Sequence, residues 1–226
     1  MNNQEHTRGV RLGTILGFPI FADATLLIIV GFLALYELRG GLAAFGHGLV
    51  FFGVIVGTIV WHEVGHAIAV RRLKLGESVI VLSGLGGRTL YRNSPTLKAG
   101  IVVALAGPFA GLALAGVLWG LAQVIDASVL PPLAVYAWGL IITVNLVINV
   151  ANLAPIYPLD GGQVMRYAMQ MNLGVRKGLQ VTVIVGVVVL CVGAGLLYAF
   201  SGFQELFVWL IIGFVAAENW QLWRTA

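Results

Sequence analysis

The sequence predicts an all-α polytopic membrane protein: six transmembrane helices, with small membrane-associated β-strands or hairpins at the amino end and after the second helix. Three observations predict it. Hydrophobic residues make up 59% of the 226 and charged residues 10%, against about a quarter charged in soluble domains. Apolar runs near the roughly 20 residues that cross about 30 Å of hydrocarbon recur along the chain. Charges and turn residues fall between those runs rather than inside them. The net charge of +4 comes from only 13 basic and 9 acidic side chains. That is too sparse for a nucleic-acid-binding face, and the composition excludes a disordered chain or a disulfide-stapled module. The single cysteine, Cys191, lies in an apolar run and makes no intramolecular disulfide.

The amino end is polar and mixed (Asn2, Glu5, Arg8, Arg11), and no small-residue cleavage site follows the first apolar run, so no secretory signal is expected. Val10–Ala22, interrupted by Gly13, Gly17 and Pro19, reads as short strands and turns at the membrane surface. Asp23 then caps a first, short span, Ala24–Tyr36. Five more spans follow at His47–Val70, Leu97–Gln123, Leu133–Leu153, Leu179–Phe200 and Glu205–Leu222. Between the second and third, Val79–Leu82 and Arg88–Tyr91 flank a glycine-rich stretch in the pattern of a hairpin turn. After the fourth, Pro155 and Pro158 end the helix and Gly161-Gly162 permit a tight turn into a short helix, about Gln163–Met171. Its methionines read as packing residues.

Basic residues set the sidedness. With the amino end in the cytosol, that side carries Arg8, Arg11, Arg71, Arg72, Lys74, Arg88, Arg92, Lys98, Arg166, Arg176, Lys177 and Arg224, and the other side only Arg39. An even number of spans returns both termini to the cytosol, and a prokaryotic cytoplasmic membrane is the expected location.

Inside the second span stands His62-Glu63-Val64-Gly65-His66. Positions four apart share one helix face, so both imidazoles reach one metal while Glu63 sits beside them to take a proton from water. His62 lies nine residues before Arg71, about 13 Å along a helix, which submerges the motif. Ionisable groups at that depth are expensive and mark function. His47, alone at the far end of the span, reads as an interfacial residue. A catalytic zinc wants a third protein ligand. No histidine follows His66, and the acids downstream are Glu77, Asp126, Asp160, Glu205 and Glu218. Asp126 and Glu205 fall on the opposite side of the bilayer and Glu77 in the exposed basic loop. Asp160 and Glu218 remain. Asp160 is favoured because it closes the Pro/Gly-rich break after the fourth span, and non-helical backbone at membrane depth is tolerated only around protein or a water-filled cavity. Glu218 stays open as the alternative, with a local ion pair to Arg224 as its plainer use. On the fourth span, Asn145, Asn149 and Asn152 share a face. The first two are expected to bond a neighbouring helix; Asn152 serves either as a helix cap or as a contact to a substrate backbone or oxyanion.

With His62-Glu63-Val64-Gly65-His66 and Asn152-x-x-Pro155-x-x-x-x-Asp160-Gly161 in this order, the chain resembles the site-2 proteases, the intramembrane zinc metalloproteases of peptidase family M50. The resemblance implies one Zn2+ per chain held by His62, His66 and Asp160, with Glu63 activating water. It implies a single-pass transmembrane protein as substrate, cut within or near its span, and no nucleotide. It further implies that Ser83, Gly84, Gly86 and Gly87 belong to a strand segment that pairs with an unwound substrate, the general way to present an extended peptide. Ala106-Gly107-Pro108-Phe109-Ala110-Gly111 resembles the family's Gly-Pro segment, but Gly111 stands where many members have asparagine, so small-residue packing is its expected role. The spacing leaves no room for a PDZ insertion or for a nucleotide-sensing domain after Leu222, and a single domain over residues 1–226 is expected. Two other readings use the same residues. A metal-ion transporter needs ligands strung across several spans, whereas these cluster toward one side; a non-proteolytic relative would bind membrane segments without cutting them.

Overall fold

A computed structural model describes residues 9–38, 41–84, 86–201 and 206–224. Asn2, Glu5, Arg8, Arg39 and Glu205, all weighed above, lie outside the described residues, as does Leu85 between Gly84 and Gly86. The chain forms two compact units, Met1–Ser94 with Ala106–Asn149, and Pro95–Leu105 with Val150–Ala226.

The first unit opens with β1 (Val10–Ile15) and β2 (Phe18–Ala22). Leu16 and Gly17 join them at φ 51° and 89°, the two left-handed residues that a two-residue hairpin with the right twist requires. Asp23 caps α1 (Ala24–Leu38) as expected: its Oδ1 accepts from the backbone N–H of Thr25 at 2.9 Å and of Leu26 at 3.1 Å. α2 (Gly41–Arg72) follows, then β3 (Ser78–Ser83) and β4 (Gly86–Tyr91). The strands form one sheet in the order β1-β2-β3-β4, whose central pairing, Ile20–Ala22 against Ile80–Leu82, is parallel. Local pattern foretold the two hairpins but not that α1 and α2 would cross between them. One face of the sheet packs on α2. Phe18, Ile20 and Ala22 of β2 and Ile80 and Leu82 of β3 are buried with Leu26, Val64 and Ala67, the alternate-residue pattern of a half-buried strand.

α3 (Leu97–Ala122) and α4 (Pro132–Asn152) contribute to both units. The loop between them carries a single 3-10 turn, Ala127–Val129, capped by Asp126 through the N–H of Ser128 at 2.9 Å. The second unit adds α5 (Asp160–Leu173), α6 (Val175–Ser201) and α7 (Leu206–Arg224). Asp160 is the first residue of α5, and the glycines after it are sterically required. A Cβ at Gly161 would stand 2.1 Å from the Leu153 carbonyl oxygen and one at Gly162 2.3 Å from the Ile156 carbonyl carbon. The loop thus folds directly onto the start of its own helix. Asn219 of α7 donates to the carbonyls of Tyr157, in that loop, and of Val215.

Among the described residues, four helices are long and apolar enough to cross a membrane: Phe45–Arg72, Leu97–Ala122, Pro132–Asn152 and Val175–Phe200. α1, the first expected span, has 15 residues and rises only about 22 Å; α7, the sixth, is likewise outside that set. The mixed four-stranded sheet also exceeds the small hairpins expected.

Candidate metal centre

Successive residues on a helix point about 100° apart, so His62-Glu63-Val64-Gly65-His66 meets the sheet-side core, α3 and a shared polar site from one turn of helix. Val64 enters the sheet-side core. Gly65 meets α3 so closely that a Cβ would lie 2.5 Å from the Ala106 carbonyl oxygen. One turn earlier, Trp61 Nε1 donates to the Ala110 carbonyl at 2.9 Å. α2 and α3 therefore cross at backbone contact, as small residues allow in lipid-embedded helices.

The remaining three positions converge. His62, Glu63 and His66 are buried, at 6%, 4% and 7% exposure. Their potential ligand atoms all lie within 4.8 Å of one another. The two Nε2 atoms are 3.0 Å apart with the rings edge to face. Above them the wall is Gly107 of α3, where a Cβ would stand 2.3 Å from His66 Nε2 and 2.8 Å from His62 Nε2. Paired imidazole nitrogens beside a carboxylate, under a hollow kept open by a missing methyl group, suit a divalent metal that takes nitrogen and oxygen donors.

Glu63 is held from the sheet. The Thr89 hydroxyl of β4 lies 2.7 Å from Glu63 Oε2 and 3.0 Å from its carbonyl oxygen. Gly87, two residues earlier, lies flat on the same side chain: a Cβ there would be 2.5 Å from Glu63 Cγ and 2.7 Å from Oε1. Gly87, expected at a substrate strand, thus also shapes the pocket of the acid. Ser83, Gly84 and Gly86 form the β3–β4 turn. Ser83 Oγ donates to the Gly86 carbonyl at 3.0 Å, and the Gly84 N–H donates to Thr25 Oγ1 at 2.9 Å. The turn is tied to the start of α1.

His62 Nδ1 faces Asn149 Oδ1 of α4 at 2.7 Å, and Asn145 reaches Thr58 Oγ1 of α2 at 3.0 Å. The expected helix-to-helix bonding of both asparagines is present, and one of the bonds goes to a candidate ligand. Spacing alone had signalled this pair; nothing in the sequence signalled Thr89. Asn152 at the end of α4 and Asp160 at the start of α5 belong to the second unit. The structure brings together His62, Glu63 and His66, with Gly87, Thr89 and Asn149 around them.

The chain is similar to known proteins. Residues 122–194, which hold Asn152, Pro155 and Asp160, match the model of peptidase family M50. Rip3 of Mycobacterium tuberculosis, named as a zinc metalloprotease, is 32% identical over 184 residues, 75% of this chain and 46% of that protein. A Synechocystis protein of similar name is 28% identical over 82% of this chain and 51% of its own length. A zinc metalloprotease of Methanocaldococcus jannaschii is 24% identical over 78% and 50%. The chain thus spans about half the length of the curated relatives it matches. The solved structure of a site-2 protease from Methanocaldococcus jannaschii superposes with a TM-score of 0.65 at 22% identity, covering 95% of each chain. This integral membrane protein has the site-2 protease fold, and over residues 122–194 its sequence matches peptidase family M50.

Proposed function

We propose that the chain is an intramembrane zinc endopeptidase that hydrolyses peptide bonds within or near the spans of membrane-anchored proteins. The observation that carries the reading is the buried His62-Glu63-His66 group in a helix apolar enough to cross the membrane, where unused ionisable groups would be costly. His62, His66 and Asp160 would hold the zinc, which when bound supplies a Lewis acid for the scissile carbonyl and lowers the pKa of water to about 7. Glu63 takes the proton of the attacking water and delivers it to the leaving amine. Thr89 and Gly87 fix the carboxylate that does so. β4 is a terminal strand of the sheet, and an unwound substrate adds to that edge through its backbone, near Ser83, Gly84, Gly86 and Gly87. Asn152 holds a substrate carbonyl. The bias of basic residues supports six crossings, both termini in the cytosol and a site toward that side.

The test is a purified, membrane-reconstituted chain with a membrane-anchored reporter. Glu63→Gln is expected to retain zinc and lose cleavage; His66→Ala and Asp160→Ala lose zinc, and Glu218→Gln keeps it. Cleavage by Glu63→Gln at the wild-type rate would overturn the catalytic assignment. Zinc retained in the double variant His66→Ala, Asp160→Ala would overturn the ligand set.

A further inference from the structure

Hydrogen-bond accounting along α2 and α4 assigns a proton within the site. Backbone carbonyls only accept. Asn149 Nδ2 lies 2.7 Å from the Asn145 carbonyl oxygen, so that atom is the amide nitrogen and Oδ1 is left as acceptor. Oδ1 faces His62 Nδ1 at 2.7 Å, and the ring proton must sit on Nδ1. His62 Nε2 then presents its lone pair toward His66 Nε2, 3.0 Å away.

Asn145 is oriented in the same manner, with Nδ2 donating to the Ile141 carbonyl at 2.9 Å and to Thr58 Oγ1 at 3.0 Å. Thr58 and His62 are one turn apart on α2, and Asn145 and Asn149 one turn apart on α4. Two rungs therefore link the same pair of helices. Every member is buried: Asn145 and Asn149 at 0% exposure and Thr58 at 3%. The third side is closed by α3, where a Cβ at Gly111 would stand 2.0 Å from Asn149 Nδ2. The amide thus lies directly against the backbone of α3 at Gly111.

We infer that Asn149 is a positioning residue which, steadied by Asn145 and Thr58, locks His62 in the Nδ1–H tautomer, so that Nε2 is a metal-ready donor before any metal arrives. A neutral imidazole otherwise shares its proton between both nitrogens, and a ring protonated at Nε2 cannot bind through that atom. Partners of this kind on a metal ligand are worth about 10- to 100-fold in affinity. The inference rests on the reading of His62 as a ligand.

Two measurements on the purified full chain test it: zinc affinity by chelator competition, and the His62 tautomer from 15N shifts of histidine-labelled, metal-free protein. Asn149→Leu, of similar volume without an acceptor, is expected to weaken zinc binding about 10- to 100-fold and to populate the Nε2–H form of His62. Asn149→Asp keeps the acceptor oxygen toward His62 but sets its second oxygen against the Asn145 carbonyl in place of the amide donor, so it is expected to retain the Nδ1–H form at a cost in stability. Wild-type affinity in Asn149→Leu, with zinc lost in His62→Ala, would overturn the positioning role while leaving His62 a ligand. Wild-type affinity in His62→Ala would overturn the ligand reading itself. Weakened binding with an unchanged tautomer would also overturn the role. If Asn149→Leu fails to fold, Asn149→Asp decides alone, and a His62 switched to the Nε2–H form in that variant counts against the proposal.

Discussion

Replacing Gly107 with alanine adds one methyl group at the point where the structure has no space for it. The new carbon would stand 2.3 Å from His66 Nε2, 2.6 Å from its Cε1 and 2.8 Å from His62 Nε2. Non-bonded atoms of this kind settle near 3.5 Å, so the His66 ring tip must retreat by roughly 1 Å. α3 has little freedom to withdraw instead, because its Ala106 carbonyl abuts Gly65 and its Ala110 carbonyl accepts from Trp61. Metal sites tolerate about 0.2 Å in ligand distance, a fifth of that displacement. Zinc affinity is expected to fall by at least about 100-fold, about 2.8 kcal/mol, measured by chelator competition. Helix content by circular dichroism is expected to hold or rise, since alanine favours a helix over glycine by about 1 kcal/mol. Gly116→Ala on the same helix meets nothing within 4 Å and is the control, with zinc affinity expected at the wild-type value. Wild-type zinc binding in Gly107→Ala would refute the reading that His62 and His66 would hold a metal beneath Gly107.

Thr89→Val removes the hydroxyl 2.7 Å from Glu63 Oε2; a hydrogen bond to a charged group is worth about 1.5–3 kcal/mol, so kcat is expected to fall roughly 10- to 100-fold with zinc content and KM unchanged, while Thr89→Ser retains most of the rate. Asp23→Ala removes the cap of α1 and is expected to lower unfolding stability by about 0.5–1 kcal/mol, the low end for a cap because the group is solvent-screened. Burial acts most strongly on Asp23 and raises its pKa, but the Thr25 hydroxyl, the N–H groups of Leu26 and Thr25 and the charge of Arg88 together bring it below the ordinary 3.8. A depressed folded-state pKa means the contribution is complete above pH 3.8 and is lost as pH falls through the folded value; thermal unfolding of wild type and Asp23→Ala should therefore converge in acid and differ at neutral pH. Asn219→Leu leaves the Tyr157 carbonyl without its donor, a loss of about 1–3 kcal/mol, and is expected to lower the melting temperature and, through the loop ahead of Asp160, the zinc stoichiometry.

What the sequence made legible was whatever a few neighbouring residues decide among themselves. Two histidines four apart must share a helix face, so the metal pair was readable before any fold. Asp23 just ahead of an apolar run announced a helix start, and Pro155, Pro158 and Gly161-Gly162 announced a break between helices. The first apolar run shows the limit of composition as a guide: Ala24 to Tyr36 suits lipid, yet length also bears on crossing, and α1 has 15 residues against the roughly 20 usual for a span. The sheet was half legible, since each hairpin is local but the pairing of β2 with β3 joins residues about sixty positions apart, with two helices between.

The supports of the site belong entirely to that second, non-local kind. His62 and Asn149 are 87 positions apart, and Glu63 and Thr89 are 26 apart. Spacing told which face of α4 the asparagines occupy, but no spacing tells which helix lies opposite. Glycine carries even less signal, because its use at Gly87, Gly107 and Gly111 is an empty volume that only the neighbouring side chain defines. An H-E-x-x-H on an apolar helix therefore supplies the donors without fixing where they point. Their direction is set from three sides, by Asn149 on His62, by Thr89 and Gly87 on Glu63, and by the hollow at Gly107 over both rings. Substitutions at these unmarked positions should cost the site nearly as much as substitutions in the motif itself, because a ligand displaced by about 1 Å is, for zinc, a ligand removed.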